Sequence, residues 1–156
     1  MILHLVCDTS GGMSDDGKPF IMRTLVTSVA QWAWYGYGRA EITLWAWSSE
    51  ARHITDWGTK SEFPAELLLC AGTANSAALI QLLGDNPDGK VLLLTDGFWS
   101  RDDMKNLNRW KDCLPSDTLR IIKIGADANP QIKGIGVFSS EELFAALDGW
   151  LEGSIT

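Results

Sequence analysis

The sequence predicts a doubly wound (Rossmann-like) α/β fold, with a mostly parallel sheet, one antiparallel edge strand and helices on both faces. Short apolar runs alternate along the chain with segments whose apolar residues recur at helical spacing. The run 91–94 is continuously apolar, which is typical of a central parallel strand that is covered on both sides. Alternation of strands and helices favours a sheet with helices on both faces.

The first strand and the first helix are predicted from a change in the spacing of apolar residues along the chain. Residues 2–7 are apolar apart from one histidine and read as a buried strand. From Pro19 onward the spacing is helical, and proline is tolerated in a first turn, where its missing N–H costs nothing. The apolar face of this helix comprises Met22, Leu25, Val26, Val29 and Ala33. Gly36 and Gly38 are expected to end it.

The next segment predicts a hairpin at an edge of the sheet. Residues 40–48 alternate in the manner of a strand and are apolar on both faces. Residues 51–57 form a weaker, more polar run, and a tight turn at 48–50 makes an antiparallel pair the simplest arrangement. Residues 58–66 read as a loop. A helix over 74–83 is predicted to begin after Thr73.

The second half of the chain repeats the alternation. After the strand 91–94, Ser100 and Asp103 predict a capped helix that ends before Pro115. A strand over 119–124 and a short edge strand over 134–138 follow. Ser139 and Glu142 form a capping box for the last helix. The predicted core face of that helix comprises Leu143, Phe144, Leu147, Trp150 and Leu151.

Composition and charge limit the classes of function. The 156 residues are 46% hydrophobic, which suits one globular domain over 1–156. The net charge of −7 argues against nucleic acid and against an anionic membrane surface as partners, because both require clustered Lys and Arg. No apolar run approaches the ~20 residues of a membrane span. Three cysteines without CxxC spacing indicate buried, reduced thiols, and we therefore expect a cytoplasmic protein.

Three oxygen-bearing segments follow predicted strands or precede a predicted helix. Asp8 and Ser10 follow the first strand, Asp96 follows the leucine-rich strand, and Thr73 precedes the second helix. In doubly wound sheets, ligands bind beyond the carboxyl ends of the strands, where the strand order reverses. Carboxylate and hydroxyl oxygens suit a hard cation, so these residues are candidate ligands for Mg²⁺ or Mn²⁺. Taken singly, each residue has a simpler reading as a helix cap or a turn residue.

These segments resemble the von Willebrand factor A (vWA) domain family. Its metal-ion-dependent adhesion site (MIDAS) reads Asp-x-Ser-x-Ser, then Thr, then Asp. Residues 8–13 resemble the first element, Gly72-Thr73 the second, and Thr95-Asp96-Gly97 the third, in the same order and on the same elements. The resemblance covers essentially the whole chain. It implies a vWA-like fold and a divalent cation that binds an acidic residue of a partner protein.

Gly12 departs from the family pattern. The family has a serine at this position, whose hydroxyl contacts the metal directly. Glycine removes that oxygen, and a water would have to replace it, so we expect weaker metal binding. Asp8, Ser10, Thr73 and Asp96 are retained.

Residues that border the predicted metal site are candidates for partner contact. Gly12, Phe98 and Trp99 border the predicted site. Tryptophan is favoured at interface hot spots, so Trp99 is a candidate anchor for a partner, with packing over the loop as the alternative.

Three functions follow from these features. The first is a non-enzymatic protein-interaction module; intracellular bacterial members of the resembled family often act beside AAA-type ATPases or in multi-protein complexes. The second is a metal-free scaffold domain that uses the Trp99 rim. The third is a Mg²⁺-dependent phosphatase, which also places an Asp after its first strand. That chemistry requires a second Asp two residues later as general acid and a Lys for the phosphate, and Ser10 occupies the acid's position.

Overall fold

A six-stranded sheet forms the centre of the computed structural model, which describes residues 1–35 and 40–151. The strands are β1 (Ile2–Asp8), β2 (Glu41–Trp47), β3 (Ala51–His53), β4 (Gly89–Thr95), β5 (Leu119–Lys123) and β6 (Val137–Ser139). The helices are α1 (Lys18–Trp34), α2 (Ser76–Leu83), α3 (Arg101–Cys113) and α4 (Leu143–Leu147). The strand order is β3-β2-β1-β4-β5-β6, and only the β2–β3 pair is antiparallel. The predicted fold class is confirmed.

The central strands are buried on both faces. In β4, Val91 and Leu93 pack into the core beneath α2 and α3, whereas Leu92 and Leu94 pack into the core beneath α1 and α4. Because successive side chains of a strand point to opposite faces, a continuous apolar run is needed to fill both cores. This double burial explains the leucine-rich sequence of β4.

Two helix starts are decided by local backbone geometry. Lys18 is the first residue of α1, directly after Gly17 in the left-handed region (φ 76°). The second helix begins at Ser76, and the side chain of Asn75 accepts a hydrogen bond from the Ala77 N–H. Thr73 is therefore a loop residue, and the prediction that it opens the helix was wrong. Gly36 and Gly38, expected to end α1, lie outside the described residues.

The elements at the sheet edges are shorter or shifted relative to the prediction. The edge strand β3 covers only 51–53, and β6 covers 137–139 rather than 134–138. The last helix ends at Leu147, and Gly149 adopts φ 72° beyond it. Phe144, predicted to lie in the core, is 58% exposed, because only the i, i+3, i+4 set of this short helix faces the sheet.

Within residues 1–35 and 40–151, we find no helix whose length and apolar character would let it cross a membrane.

Candidate functional site

The carboxyl ends of the adjacent central strands β1 and β4 are where a doubly wound sheet places its ligand crevice. After β1 the chain enters α1 on one face of the sheet, and after β4 it enters α3 on the other face. The loops therefore leave in opposite directions at the point where strand order reverses. We call this region the central crevice and define it by residues 9–12, 71–73 and 96–98.

Asp8 lies at the floor of the central crevice and is only 1% exposed. Its Oδ1 accepts a 2.9 Å hydrogen bond from the Ser10 N–H, and its Oδ2 accepts a 2.6 Å bond from the Thr95 hydroxyl. Burial raises the pKa of the Asp8 carboxyl, although hydrogen bonds from Ser10 and Thr95 oppose the shift; the charge of Asp96 adds to it. A positive charge in the crevice would stabilise the ionised carboxylate.

The loop that contains Thr73 is tied to the loop that follows β1. The Ala71 N–H donates to the carbonyl of Thr9 (2.9 Å), and the Gly11 N–H donates to the carbonyl of Gly72 (2.9 Å). Gly72 adopts φ 78°, a conformation that favours glycine. These contacts hold Thr73, which is exposed, beside the first loop.

Asp96 is the second buried carboxylate, at 3% exposure. Its Oδ1 accepts a 3.1 Å hydrogen bond from the Phe98 N–H, and its Oδ2 accepts a 3.1 Å bond from the ammonium of Lys18. The structure therefore brings Asp8, Ser10 and Asp96 to one crevice, with the Thr73 loop at its side.

Lys18 is a buried charged residue at the crevice that the sequence analysis missed. Its ammonium is also 3.3 Å from the carbonyl oxygen of Gly12 and 3.4 Å from Oδ2 of Asp127. Burial alone would lower the pKa of Lys18, but the hydrogen bond and charge of Asp96, with those of Asp127, raise it above its usual value. One sequence signal was present: a lysine at the first position of a helix opposes the helix dipole, so its charge needs acidic partners elsewhere.

Gly12 lies directly beside Asp96. A Cβ added to Gly12 would be 3.3 Å from Oδ2 of Asp96, so a serine at this position would carry its hydroxyl into the central crevice. The serine hydroxyl that the family pattern has at position 12 would therefore lie beside Asp96, the carboxylate that Lys18 contacts.

The donor chemistry fits a small, hard divalent cation. The crevice offers the carboxylates of Asp8 and Asp96 and the hydroxyl of Ser10, and the loop at its side carries the hydroxyl of Thr73; Mg²⁺ and Mn²⁺ accept ligands of these kinds. In the described ranges no cluster of three or more His, Cys, Asp or Glu side chains could hold a metal. Hydroxyls and water would therefore have to supply most of the coordination.

The aromatic residues at the rim differ in exposure. Phe98 is 53% exposed, and its ring centroid is 5.9 Å from the Lys18 ammonium. Trp99 is half-buried and packs edge-to-face on Trp47, with ring centroids 6.2 Å apart. The indole N–H of Trp99 is buried and has no hydrogen-bond acceptor among the described residues. The apolar surface that a partner would meet at this rim belongs mainly to Phe98.

Comparisons with known proteins place the fold. No family model matches the sequence, and no curated protein matches it. An aerotolerance-related membrane protein from Bacteroides fragilis NCTC 9343, solved with multiple mutations to serine, superimposes with a TM-score of 0.64 at 12% identity, over 98% of this chain and 99% of that chain. The conserved hypothetical protein BatB from Bacteroides thetaiotaomicron gives 0.54 at 9% identity, over 79% of this chain and 66% of that chain.

A third similar structure carries a metal. Proximal thread matrix protein 1 of the mussel byssus, with a zinc-occupied MIDAS motif, superimposes with a TM-score of 0.52 at 14% identity. The match covers 94% of this chain but only 44% of the mussel chain. At these identities the likeness concerns the fold, and the fold of the chain is of the vWA type.

Proposed function

We propose that this chain is a protein-interaction module that binds an acidic group of a partner protein at the central crevice. The observation that carries the proposal is the convergence of Asp8, Ser10 and Asp96 at the carboxyl ends of two adjacent parallel strands. Two buried carboxylates beside hydroxyl-bearing loops favour a cation, and in this proposal the cation attracts a partner's carboxylate.

In this proposal Asp8, Ser10, Thr73 and Asp96 hold Mg²⁺ or Mn²⁺. When bound, the ion would accept a partner carboxylate as a further ligand, because hydroxyl ligands leave much of its charge unneutralised. The hydroxyls of Ser10 and Thr73 contribute oxygens without charge. Gly12 leaves one side of Asp96 open, where the partner's group or water completes the coordination.

The partner-contacting surface surrounds the crevice at Gly12, Phe98 and Trp99. Phe98 presents an exposed ring at the rim. Trp99 supports the same loop from beneath through its contact with Trp47. An exposed aromatic ring beside a charged centre suits an interface anchor ringed by polar groups.

The nature of the partner and the location of the protein complete the proposal. We assign the partner role to another protein, with an AAA-type ATPase or a subunit of a larger complex as the candidate class. All three cysteines are free, which supports a reducing, cytoplasmic setting, although only Cys7 is buried as predicted, with Cys70 half-buried and Cys113 exposed. Residues 1–156 act as one domain in this proposal.

A metal-free mode of binding is the second candidate. The Lys18 ammonium already supplies a positive charge at Asp96, and this contact favours a scaffold domain that needs no metal. The rim at Phe98 and Trp99 would then contact the partner. Binding that survives a chelator separates this mode from the metal-dependent one.

Catalysis is not part of the proposal. Lys18 offers the ammonium that a phosphatase needs, but position 10 carries a serine where that chemistry needs a general acid. If the chain hydrolyses a generic phosphate ester and Asp8→Asn loses this activity, the proposed function would be wrong and the chain would be an enzyme.

The test compares crevice variants with a matched surface variant. The full chain is used to capture proteins from an extract of the cells that make it, in Mg²⁺ and in EDTA. Asp8→Ala and Asp96→Ala should lose a partner that the wild type retains. Asp85→Ala, which removes an exposed carboxylate from the turn before β4, should keep it. Capture that is equal in all four proteins would overturn a role for the crevice.

A further inference from the structure

The ammonium of Lys18 is a fully satisfied cation inside the central crevice. An ammonium has three N–H donors, and three acceptors surround this one: Oδ2 of Asp96 at 3.1 Å, the carbonyl of Gly12 at 3.3 Å and Oδ2 of Asp127 at 3.4 Å. The residue is 3% exposed. Complete satisfaction at this depth distinguishes Lys18 from a surface lysine that happens to lie near an acid.

The backbone makes room for this side chain. Gly125 adopts φ 99°, and a Cβ there would be 3.0 Å from Cε of Lys18 and 2.8 Å from Oδ1 of Asp127. A side chain at position 125 would therefore crowd both the lysine stem and one of its acceptors. The absence of a side chain allows the ammonium to reach Asp96.

A divalent ion on Asp96 and the Lys18 ammonium exclude each other. Metal–oxygen distances for Mg²⁺ are about 2.1 Å, so an ion bound to Oδ2 of Asp96 would lie within roughly 5 Å of the ammonium in its present position. Two cations this close in a buried site repel strongly. The same oxygen also cannot keep its hydrogen bond from Lys18 while it coordinates a metal along that direction.

The geometry also provides a place for the displaced ammonium. Asp127 already contacts Lys18, and its side chain is 54% exposed, whereas that of Asp96 is 4% exposed. The lysine can leave Asp96 and keep its ion pair with Asp127 at the surface. The Phe98 ring, 5.9 Å from the ammonium, lies beside the same group.

We propose that the Lys18 ammonium is the resident cation of the central crevice, and that a divalent ion binds there only by displacing Lys18 toward Asp127. This inference rests on the proposed metal role of Asp8, Ser10, Thr73 and Asp96. It makes the crevice a site with two alternative cations. In the lysine-occupied state the acidic floor is neutralised in part without metal, and in the metal-occupied state the added charge is available to a partner carboxylate.

The experiment measures binding of MnCl₂ by calorimetry to the wild type, Lys18→Met and Lys105→Met. Lys105→Met removes the same charge from an exposed position of α3. We expect Lys18→Met to bind Mn²⁺ at least about tenfold more tightly than the wild type, because the repulsion is gone, and Lys105→Met to match the wild type. Lys18→Met should also become less thermally stable in EDTA and regain stability with Mn²⁺.

The outcomes separate this inference from the proposed function. Equal Mn²⁺ affinity in the wild type and Lys18→Met would overturn the inference and leave the metal site standing. No Mn²⁺ binding in any variant would overturn both the inference and the metal role of the crevice. Binding that appears only in Lys18→Met would support the inference and show that the wild-type crevice is occupied by lysine.

A second measurement on the wild type covers the case in which Lys18→Met does not fold. Lysine acetylation by a reactive ester, read by peptide mass spectrometry, should increase at Lys18 when Mn²⁺ is saturating, because the displaced amine becomes exposed. Acetylation of Lys105 should not change. An unchanged yield at Lys18 in the presence of Mn²⁺ would contradict displacement.

Discussion

Thr95 at the end of β4 donates a 2.6 Å hydrogen bond to the carboxylate of Asp8 at the end of β1. Its hydroxyl oxygen also accepts a 3.0 Å bond from the Gly97 N–H. The threonine is fully buried. One side chain therefore joins the two central strands at the floor of the crevice and fixes the turn that leads to the rim.

Replacing Thr95 with valine should destabilise the protein. Valine has the same shape but leaves the Asp8 carboxylate and the Gly97 N–H each without one partner, at a cost of about 1–3 kcal/mol in the free energy of unfolding. Urea unfolding measures this difference. Thr95→Ser keeps the hydroxyl and should lose less stability. A valine variant as stable as the wild type would contradict the role of this bond.

Restoring serine at position 12 should tighten metal binding. The hydroxyl of Gly12→Ser would lie beside Asp96 and add one oxygen to the ligand set, with an expected gain in Mn²⁺ affinity of roughly tenfold. Gly12→Ala is the matched control, since it adds the same Cβ without the oxygen. If alanine and serine have the same effect on calorimetric Mn²⁺ affinity, position 12 does not face the ion.

Removing the exposed ring of Phe98 should weaken partner capture without unfolding the protein. Truncation of an aromatic anchor at an interface costs about 2 kcal/mol or more of binding free energy. Ile135→Ala provides the control, because Ile135 is 95% exposed and precedes the edge strand β6, at the amino ends of the parallel strands and away from the crevice. Quantitative capture of the same partner by both variants compares them, and equal losses would argue against a role for the rim.

The carboxylate of Asp103 should make stability depend on pH in the acid range. It accepts hydrogen bonds from the N–H and hydroxyl of Ser76 (2.9 and 2.6 Å) and from the hydroxyl of Ser100 (2.6 Å). Burial alone would raise the pKa of Asp103, but these hydrogen bonds lower it below its ordinary value of 3.8. A carboxyl whose pKa is lowered by folding stabilises the folded state at pH values above its ordinary pKa. This stabilisation is lost as the pH falls through the pKa of the folded state.

Asp103→Asn therefore should be less stable than the wild type at pH 6 by roughly 1.5–3 kcal/mol, the range for hydrogen bonds to a charged group. The difference should shrink as the pH falls below the ordinary value of 3.8 and through the lower pKa of the folded carboxyl. Asp102→Asn, at the adjacent exposed carboxylate, should show no comparable effect. A difference that is constant from pH 6 to pH 3 would assign the loss to packing rather than to charge.

A side chain at position 125 should disturb the environment of Lys18. Gly125→Ala places a Cβ at φ 99° and close to Cε of Lys18, so we expect a loss of about 1–3 kcal/mol in stability. Gly84→Ala, at a positive φ but with open space around it, measures the cost of conformation alone. Thermal unfolding measures the stability that each variant loses. A larger loss for Gly125→Ala than for Gly84→Ala reports the crowding of Lys18, and equal losses would contradict that crowding.

The order of elements could be predicted because it depends on local period. The apolar run of β4 and the helical spacing of α1 are patterns within short stretches of sequence, and both elements form where expected. The start of α2 could not be predicted from Thr73, because the helix cap is Asn75, whose N–H donates to the carbonyl of Ser48 in a segment far away in sequence. The sequence also could not decide whether Trp99 contacts a partner or packs over the loop, because its packing depends on the tertiary contact with Trp47.

The sequence by itself determined the fold class and the placement of Asp8, Ser10 and Asp96 at strand ends, since strand order and loop position follow from periodicity and from the rules of parallel sheets. Only the tertiary structure decided that the Lys18 ammonium contacts Asp96. Lys18 reaches Asp96 and Asp127, which lie 78 and 109 residues further along the chain, and no local pattern encodes contacts of that separation. The ammonium is held there by charges that converge only after the sheet has formed.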